Sequence, residues 1–173
     1  MRVGEPLRAR RRDVVMPEEA CLEMPACFIR VTAPKTGRRG GGRVQHSRVS
    51  EAVAVRLICF AFKHLQPDDL LYPASPSTFR RRWDRICETL LISAKLKLAP
   101  GGLRGGGAIF LYQSSCPIND LMWRMRIRTQ STLEHYIQEL AAENVFQELS
   151  EKSKHAVRSC SSMLQFLVPD FPV

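Results

Sequence analysis

The chain has 173 residues, 45% of them hydrophobic and 25% charged, with 26 Lys and Arg against 17 Asp and Glu. That balance fits one globular domain with an ordinary core and excludes a disordered or fibrous chain. The net charge of +9 favours a polyanionic partner, nucleic acid before acidic protein or anionic membrane, against the plainer alternative of a basic protein with no such partner.

The start, MRVGEPLRARRRD, has no apolar stretch of the kind a secretory signal needs, and its abrupt charged opening reads as that of a fragment or a truncated gene. Residues 2–12 have helix-compatible composition, with a basic cluster Arg8, Arg10, Arg11 and Arg12. Residues 27–33, CFIRVTA, are rich in β-formers and read as a strand, which Pro34 ends. KTGRRGGGR follows as a glycine-punctuated basic loop, and RVQHSRV (43–49) alternates apolar and polar residues as a return strand does. The expectation is a β-hairpin with a long basic tip.

Ser50 is an expected N-cap for a helix over about 51–64 that buries Val53, Leu57, Ile58, Phe60 and Ala61. Its apolar run AVAVRLICFAF is too short to span a membrane and carries Arg56. LQPDDLLYPASP reads as loop. Ser75 or Ser77 then caps a helix with Phe79, Trp83, Ile86 and Leu90 on one face and Arg80, Arg81, Arg82 and Arg85 on the other. After the APGG break, helices are expected over 103–114, 118–127 and 131–149, with Cys116-Pro117 between the first two. Residues 150–173 hold a short helix and a tail in which MLQFLV covers the core or docks on a neighbouring subunit, the former being favoured. Domain bounds follow as 1–149 and a tail, 150–173. The fold class is mainly α with a small antiparallel sheet.

Six cysteines, Cys21, Cys27, Cys59, Cys87, Cys116 and Cys160, form no CxxC pair and have no histidine at ligand spacing. They read as reduced, mostly buried thiols of an intracellular protein, with no metal site.

The stretch from Pro100 to Tyr136 carries the most specific signal: PGGLRGGGAIFLYQSSCPINDLMWRMRIRTQSTLEHY. Its order and spacing resemble the second half of a tyrosine recombinase (phage-integrase family) catalytic domain, with the pattern H-x-x-R … G/H-x-x-x-x-x-T-x-x-Y. The resemblance covers about residues 1–140, without the family's N-terminal DNA-clamping domain. It implies a helical bundle with a three-stranded sheet. It makes Arg104 the second catalytic arginine and Tyr136 the nucleophile. Met1-Arg2-Val3-Gly4-Glu5 is similar to the family's G-x-R-x-[SG]-E, making Arg2 the first arginine, and Lys35 stands where the family has its hairpin lysine, the general acid.

The implied chemistry is DNA cleavage and rejoining through a 3′-phosphotyrosyl intermediate, for integration or transposition of a mobile element. It takes place with the DNA, in the nucleus if the cell has one, on tetramers at paired sites. No cofactor, metal, membrane or small-molecule substrate is implied. Two positions depart from the pattern: Gly101 stands in place of the first histidine and Ile127 in place of the second His or Trp. Arg126, Arg128 or His135 is a candidate substitute donor. These losses favour a rival in which the chain is a decayed recombinase that binds DNA or sibling subunits without cutting. A basic helical RNA-binding or scaffold protein is the third alternative.

Several features have two readings. Gly105, Gly106 and Gly107 serve either a phosphate cradle at a helix N-terminus or tight helix packing. Arg38, Arg39 and Arg43 grip DNA or line a solvated loop; Arg80, Arg81 and Arg82 touch phosphate or form a plain charged face. Trp83 and Trp123 read as core in preference to base-stacking residues, with a catalytic role for Trp123 a further disfavoured alternative.

Overall fold

The computed structural model describes residues 3–20, 25–32, 45–137 and 145–167. The chain divides into two compact units, one built on Val3–Ser75 with the chain from Ser161 onward, the other on Pro76–Cys160. The secondary structure is mainly helical with one three-stranded antiparallel sheet. Among the described residues, no helix is long and apolar enough to cross a membrane.

In the first unit, the sheet runs in the order β1 (Val14–Val15), β2 (Cys27–Val31), β3 (Gln45–Val49). The predicted hairpin is there, with Cys27 opposite Val49 and Val31 opposite Gln45. Alternation sets its two faces: Cys27, Ile29 and Val31 are buried, and Arg30 is exposed. Val14 and Val15 pair with Ile29 and Phe28.

The predicted helical character of residues 2–12 is not realised. Two 3-10 turns, Pro6–Arg8 and Arg11–Asp13, occupy that stretch. Its backbone pairs with the predicted loop instead: Arg11 N–H donates to Asp69 O at 2.9 Å, Arg12 N–H to Pro67 O at 3.0 Å, and Leu71 N–H to Ala9 O at 2.9 Å. The arginines are engaged locally, Arg12 with Asp68 at 2.6 Å and Arg11 with Glu19 of the short α1 (Pro17–Ala20) at 2.9 Å.

α2 (Ala52–Phe62) is capped by Glu51 and not by Ser50. The Glu51 carboxylate accepts from Val53 N–H at 3.2 Å and Ala54 N–H at 2.7 Å, which satisfies orphan amides and complements the dipole. The buried pair is Val55 and Cys59, while the predicted Phe60 and Ala61 are exposed. AVAVRLICFAF is apolar on almost every side, so its periodicity phases the buried face poorly.

In the second unit, α3 (Pro76–Thr89) turns Phe79, Trp83 and Cys87 partly inward and leaves Ile86 exposed, against the prediction. Trp83 Nε1 donates to Leu98 O at 3.2 Å. α4 (Gly102–Gln113), α5 (Ile118–Met125) and α6 (Gln130–Glu134) surround a core of Ala108, Leu121, Met125, Ile127 and Leu133.

Three helices here end alike. Leu91, Ser115 and Arg126 take φ of 56°, 60° and 57°, in the left-handed region. The next amides reach back five residues, Ile92 to Cys87 O, Cys116 to Leu111 O and Ile127 to Met122 O, at 2.9, 3.0 and 2.9 Å. Each end is a Schellman motif made without glycine. α5 therefore stops at Met125, short of the predicted 127, and the turn carries Ile127 into the core.

The predicted helix over 131–149 is interrupted. α6 closes at Glu134, and a separate helical turn occupies 145–148. The closing helix α7 (Glu151–Leu167) is long, not the short one expected. Ser153, buried near its start, donates its hydroxyl to Leu91 O at 2.5 Å. Met163, Leu164 and Phe166 are exposed and do not cover a core as favoured above.

Candidate functional site

Arg104 lies on the first turn of α4, and Tyr136 follows α6. The shared core brings them together although 32 positions separate them. Leu133 is fully enclosed, and Tyr136 N–H donates back to Leu133 O at 2.8 Å, so the tyrosine is held at the edge of that core. The Arg104 guanidinium lies over the Tyr136 ring, 5.4 Å from its centroid. Such a stack is attractive because the ring face is electron-rich. Another Arg104 nitrogen donates to the carbonyl of Met125, at the end of α5. One arginine thus clamps the ends of two helices and presents a tyrosine under a cation.

The N-terminal amides of α4 do not form the cradle considered above. Gly102, Leu103 and Arg104 donate to Ala99, Pro100 and Gly101 carbonyls at 2.9, 3.2 and 3.3 Å. Tight packing does not explain the glycines either: a Cβ built at Gly105, Gly106 or Gly107 would meet nothing within 4 Å. They stand open, at a helix-propensity cost of about 1 kcal/mol each.

The two departures from the recombinase pattern differ in kind. Gly101 is exposed, with right-handed φ of −60°, and a Cβ there also meets nothing within 4 Å. Ile127 is 9% exposed, inside the apolar cluster. Arg126 and Arg128 flank it; Arg128 and His135 are exposed, and Arg126 is half-buried.

On α3, Arg80, Arg81 and Arg82 are all exposed, but Arg80 is paired with Asp84 at 2.9 Å, one turn on. For Arg80 that is the behaviour of a charged surface face. Arg2, Lys35, Arg38, Arg39 and Arg43 lie outside the described residues. Among the described residues no group of three His, Cys, Asp or Glu gathers to hold a metal.

Trp123 is not core: it is 64% exposed. The signal was in the sequence, since Leu121, Met122 and Met125 form the inward stripe of α5 and Trp123 falls off it. The role of the Met125 carbonyl had no sequence signal, because any residue supplies a carbonyl.

Comparison of the chain with family models, with curated proteins and with solved structures returned no match.

Proposed function

We propose that the chain cleaves and rejoins double-stranded DNA, with Tyr136 as nucleophile and Arg104 as a phosphate-binding cation. The observation that carries this reading is the Arg104–Tyr136 juxtaposition at 5.4 Å. The two residues that the recombinase pattern pairs are neighbours, on a chain of net charge +9.

In the proposed step the phenol of Tyr136 gives up its proton to water and its oxygen attacks phosphorus. The bond to the 5′-oxygen breaks, that oxygen takes a proton from a general acid, and the DNA is left on the protein through a 3′-phosphotyrosyl ester. Attack by a 5′-hydroxyl reverses the sequence and reseals a strand without loss of bond energy. Arginine suits the phosphate because its planar fork remains charged and binds two oxygens at once. Lys35 is the general acid and Arg2 the second cation in this reading.

A nicked duplex that releases its short 5′ fragment after cleavage traps the intermediate. The expected result is an adduct stable to denaturation, lost in Tyr136→Phe, which keeps the ring beneath Arg104 and removes only the reacting oxygen.

The second reading is a recombinase-derived protein that binds DNA without cutting. It is favoured by the burial of Ile127 in the core and by the commitment of Arg104 to the Met125 carbonyl. Each missing transition-state donor costs about 10²–10³ in rate. Salt-dependent retention of duplex with no adduct selects this reading.

A further inference from the structure

Three sulfur atoms gather in the core of the sheet-bearing unit. Met16 lies between β1 and α1, Cys27 opens β2, and Cys59 is in the second half of α2; they are 1%, 0% and 9% exposed. The Cys59 thiol donates to the Met16 thioether at 3.9 Å. The Cys27 and Cys59 thiols are hydrogen-bonded to each other. Sulfur is scarce in this chain, with 6 Cys and 6 Met in 173 residues. Among the described residues it nevertheless supplies three of the nine buried apolar residues of this unit, and those three are in contact. Filling a core does not call for that, since aliphatic side chains pack as well and a thiol is only a weak hydrogen-bond donor.

The donor set decides what it can hold. Sulfur ligands are soft and select Cu(I), zinc or iron–sulfur clusters. Zinc and the clusters take four donors, and among the described residues no third His, Cys, Asp or Glu joins the two thiols. The third donor is a neutral thioether, which suits a soft monovalent ion that is content with three ligands. Two sulfurs bound about 2.3 Å from one ion and about 120° apart lie about 4 Å from each other. Cys59 and Met16 already have that spacing. Burial pushes both thiols up, Cys27 to about 12, so the metal-free pair is neutral at physiological pH. An incoming metal has to displace those protons, which selects for high thiolate affinity.

We propose that Met16, Cys27 and Cys59 form a buried trigonal site for Cu(I), which ties β2 and α2 to the chain between β1 and α1. On binding, each thiol gives its proton to solvent as its sulfur bonds the ion. No electron is transferred, and the product is one Cu(I) held by two thiolates and one thioether. Its single net negative charge is opposed at Cys59 by Glu18 and favoured by Lys63 and Arg11. The inference does not rest on the DNA-processing reading.

The test uses the full chain carrying Cys87→Ser, Cys116→Ser and Cys160→Ser, which removes the other described thiols. The reduced, oxygen-free protein is titrated with Cu(I) in competition with the chromogenic chelator bicinchoninate, and the bound ion is read by X-ray absorption. The expected result is one Cu(I) per chain, three sulfur neighbours at about 2.3 Å, and a melting temperature that rises with Cu(I) and rises less with Zn(II). Met16→Leu conserves volume, so it keeps the metal-free fold while weakening Cu(I) roughly tenfold or more and leaving two sulfur neighbours. Cys59→Ala abolishes the competition with the chelator. Failure of the starting protein to compete, an equal or greater rise with Zn(II), or Cu(I) binding unchanged in Met16→Leu overturns the proposal.

Discussion

The sheet-bearing unit and the helical unit solve the same folding problem to different degrees. Around the sheet, Ala9, Val14, Met16, Ala26 and Cys27 are all within 2% of complete burial, and basic side chains such as Arg11 and Arg12 are matched to Glu19 and Asp68. The helical unit encloses a smaller set, Ala108, Leu121 and Leu133, and leaves Leu103, Phe110 and Trp123 each more than half exposed. Among its arginines, Arg80 is matched to Asp84 one turn on. Both units keep large apolar side chains at the surface, Phe60, Met163 and Phe166 on the sheet-bearing one and Leu103, Phe110 and Trp123 on the helical one, so what separates them is how many residues each encloses. Apolar and charged side chains held at a surface supply both the driving force for a partner and the charge to choose one.

The two missing donors test that contrast most sharply, because one lies on the open surface and the other in the closed part of the same unit. A Cβ added by Gly101→His meets nothing within 4 Å, and the right-handed φ is one that histidine adopts freely. If the cleavage reading holds, it raises the rate of adduct formation on the nicked duplex by about 10²-fold, the worth of one transition-state donor. Ile127→His places an imidazole among Leu121, Leu133 and Ala108. It is expected to cost about 2–5 kcal/mol of stability, read as a lowered urea midpoint, with no gain in rate. A Gly101→His protein that remains folded and still forms no adduct leaves the non-cutting reading.

How far these sites were legible in the sequence follows from what each signal physically is. The hairpin of Cys27–Val31 with Gln45–Val49 announces itself by two-residue alternation and a glycine-rich connection, and α2 to α5 by helical spacing between breakers. Arg104 and Tyr136 were paired by the resemblance to the recombinase pattern, and the fold makes them neighbours. The end of α5 was misjudged because Arg126 holds the left-handed position where glycine is the usual marker, while the glycines sit inside α4. The N-terminal segment was misjudged because its backbone partner, Pro67 to Leu71, lies far along the chain, and no local pattern encodes that pairing.

The closed unit has its own signature in alkaline solution. Burial among apolar neighbours pushes the Cys27 thiol up from near 9 to about 12, with the Cys59 thiol beside it adding to the shift, and Cys59 itself is also raised by burial. The unfolded chain releases these protons near the ordinary value while the folded chain keeps them. The stabilisation is therefore whole below about pH 9 and is lost as pH climbs toward about 12. The loss amounts to about 1.4 kcal/mol per pH unit for Cys27 across that window. Urea midpoints measured from pH 8 to 11 should fall along that line, and Cys27→Ala should flatten it. At neutral pH a maleimide should label exposed Cys160 well before Cys27. Equal labelling rates would mean that the sheet core opens as readily as the helical unit's surface.

The smallest effect bears most directly on why the helical unit is built as it is. Arg126 holds φ of 57°, a conformation that costs a residue with a Cβ about 1 kcal/mol and costs glycine almost nothing. For a Schellman ending whose only task is to stop α5 and turn Ile127 inward, glycine is the better residue, and Arg126→Gly should raise stability by roughly 0.5–1 kcal/mol. An arginine kept at such a position argues for work done by its side chain. The same substitution should therefore weaken nucleic-acid binding while the melting temperature rises, and should lower the salt dependence of binding by about one released counterion. Stability and affinity moving in opposite directions in one variant is the outcome expected of a surface that gives up folding energy to hold phosphate. If both rise, or affinity does not move, Arg126 is an ordinary helix terminator.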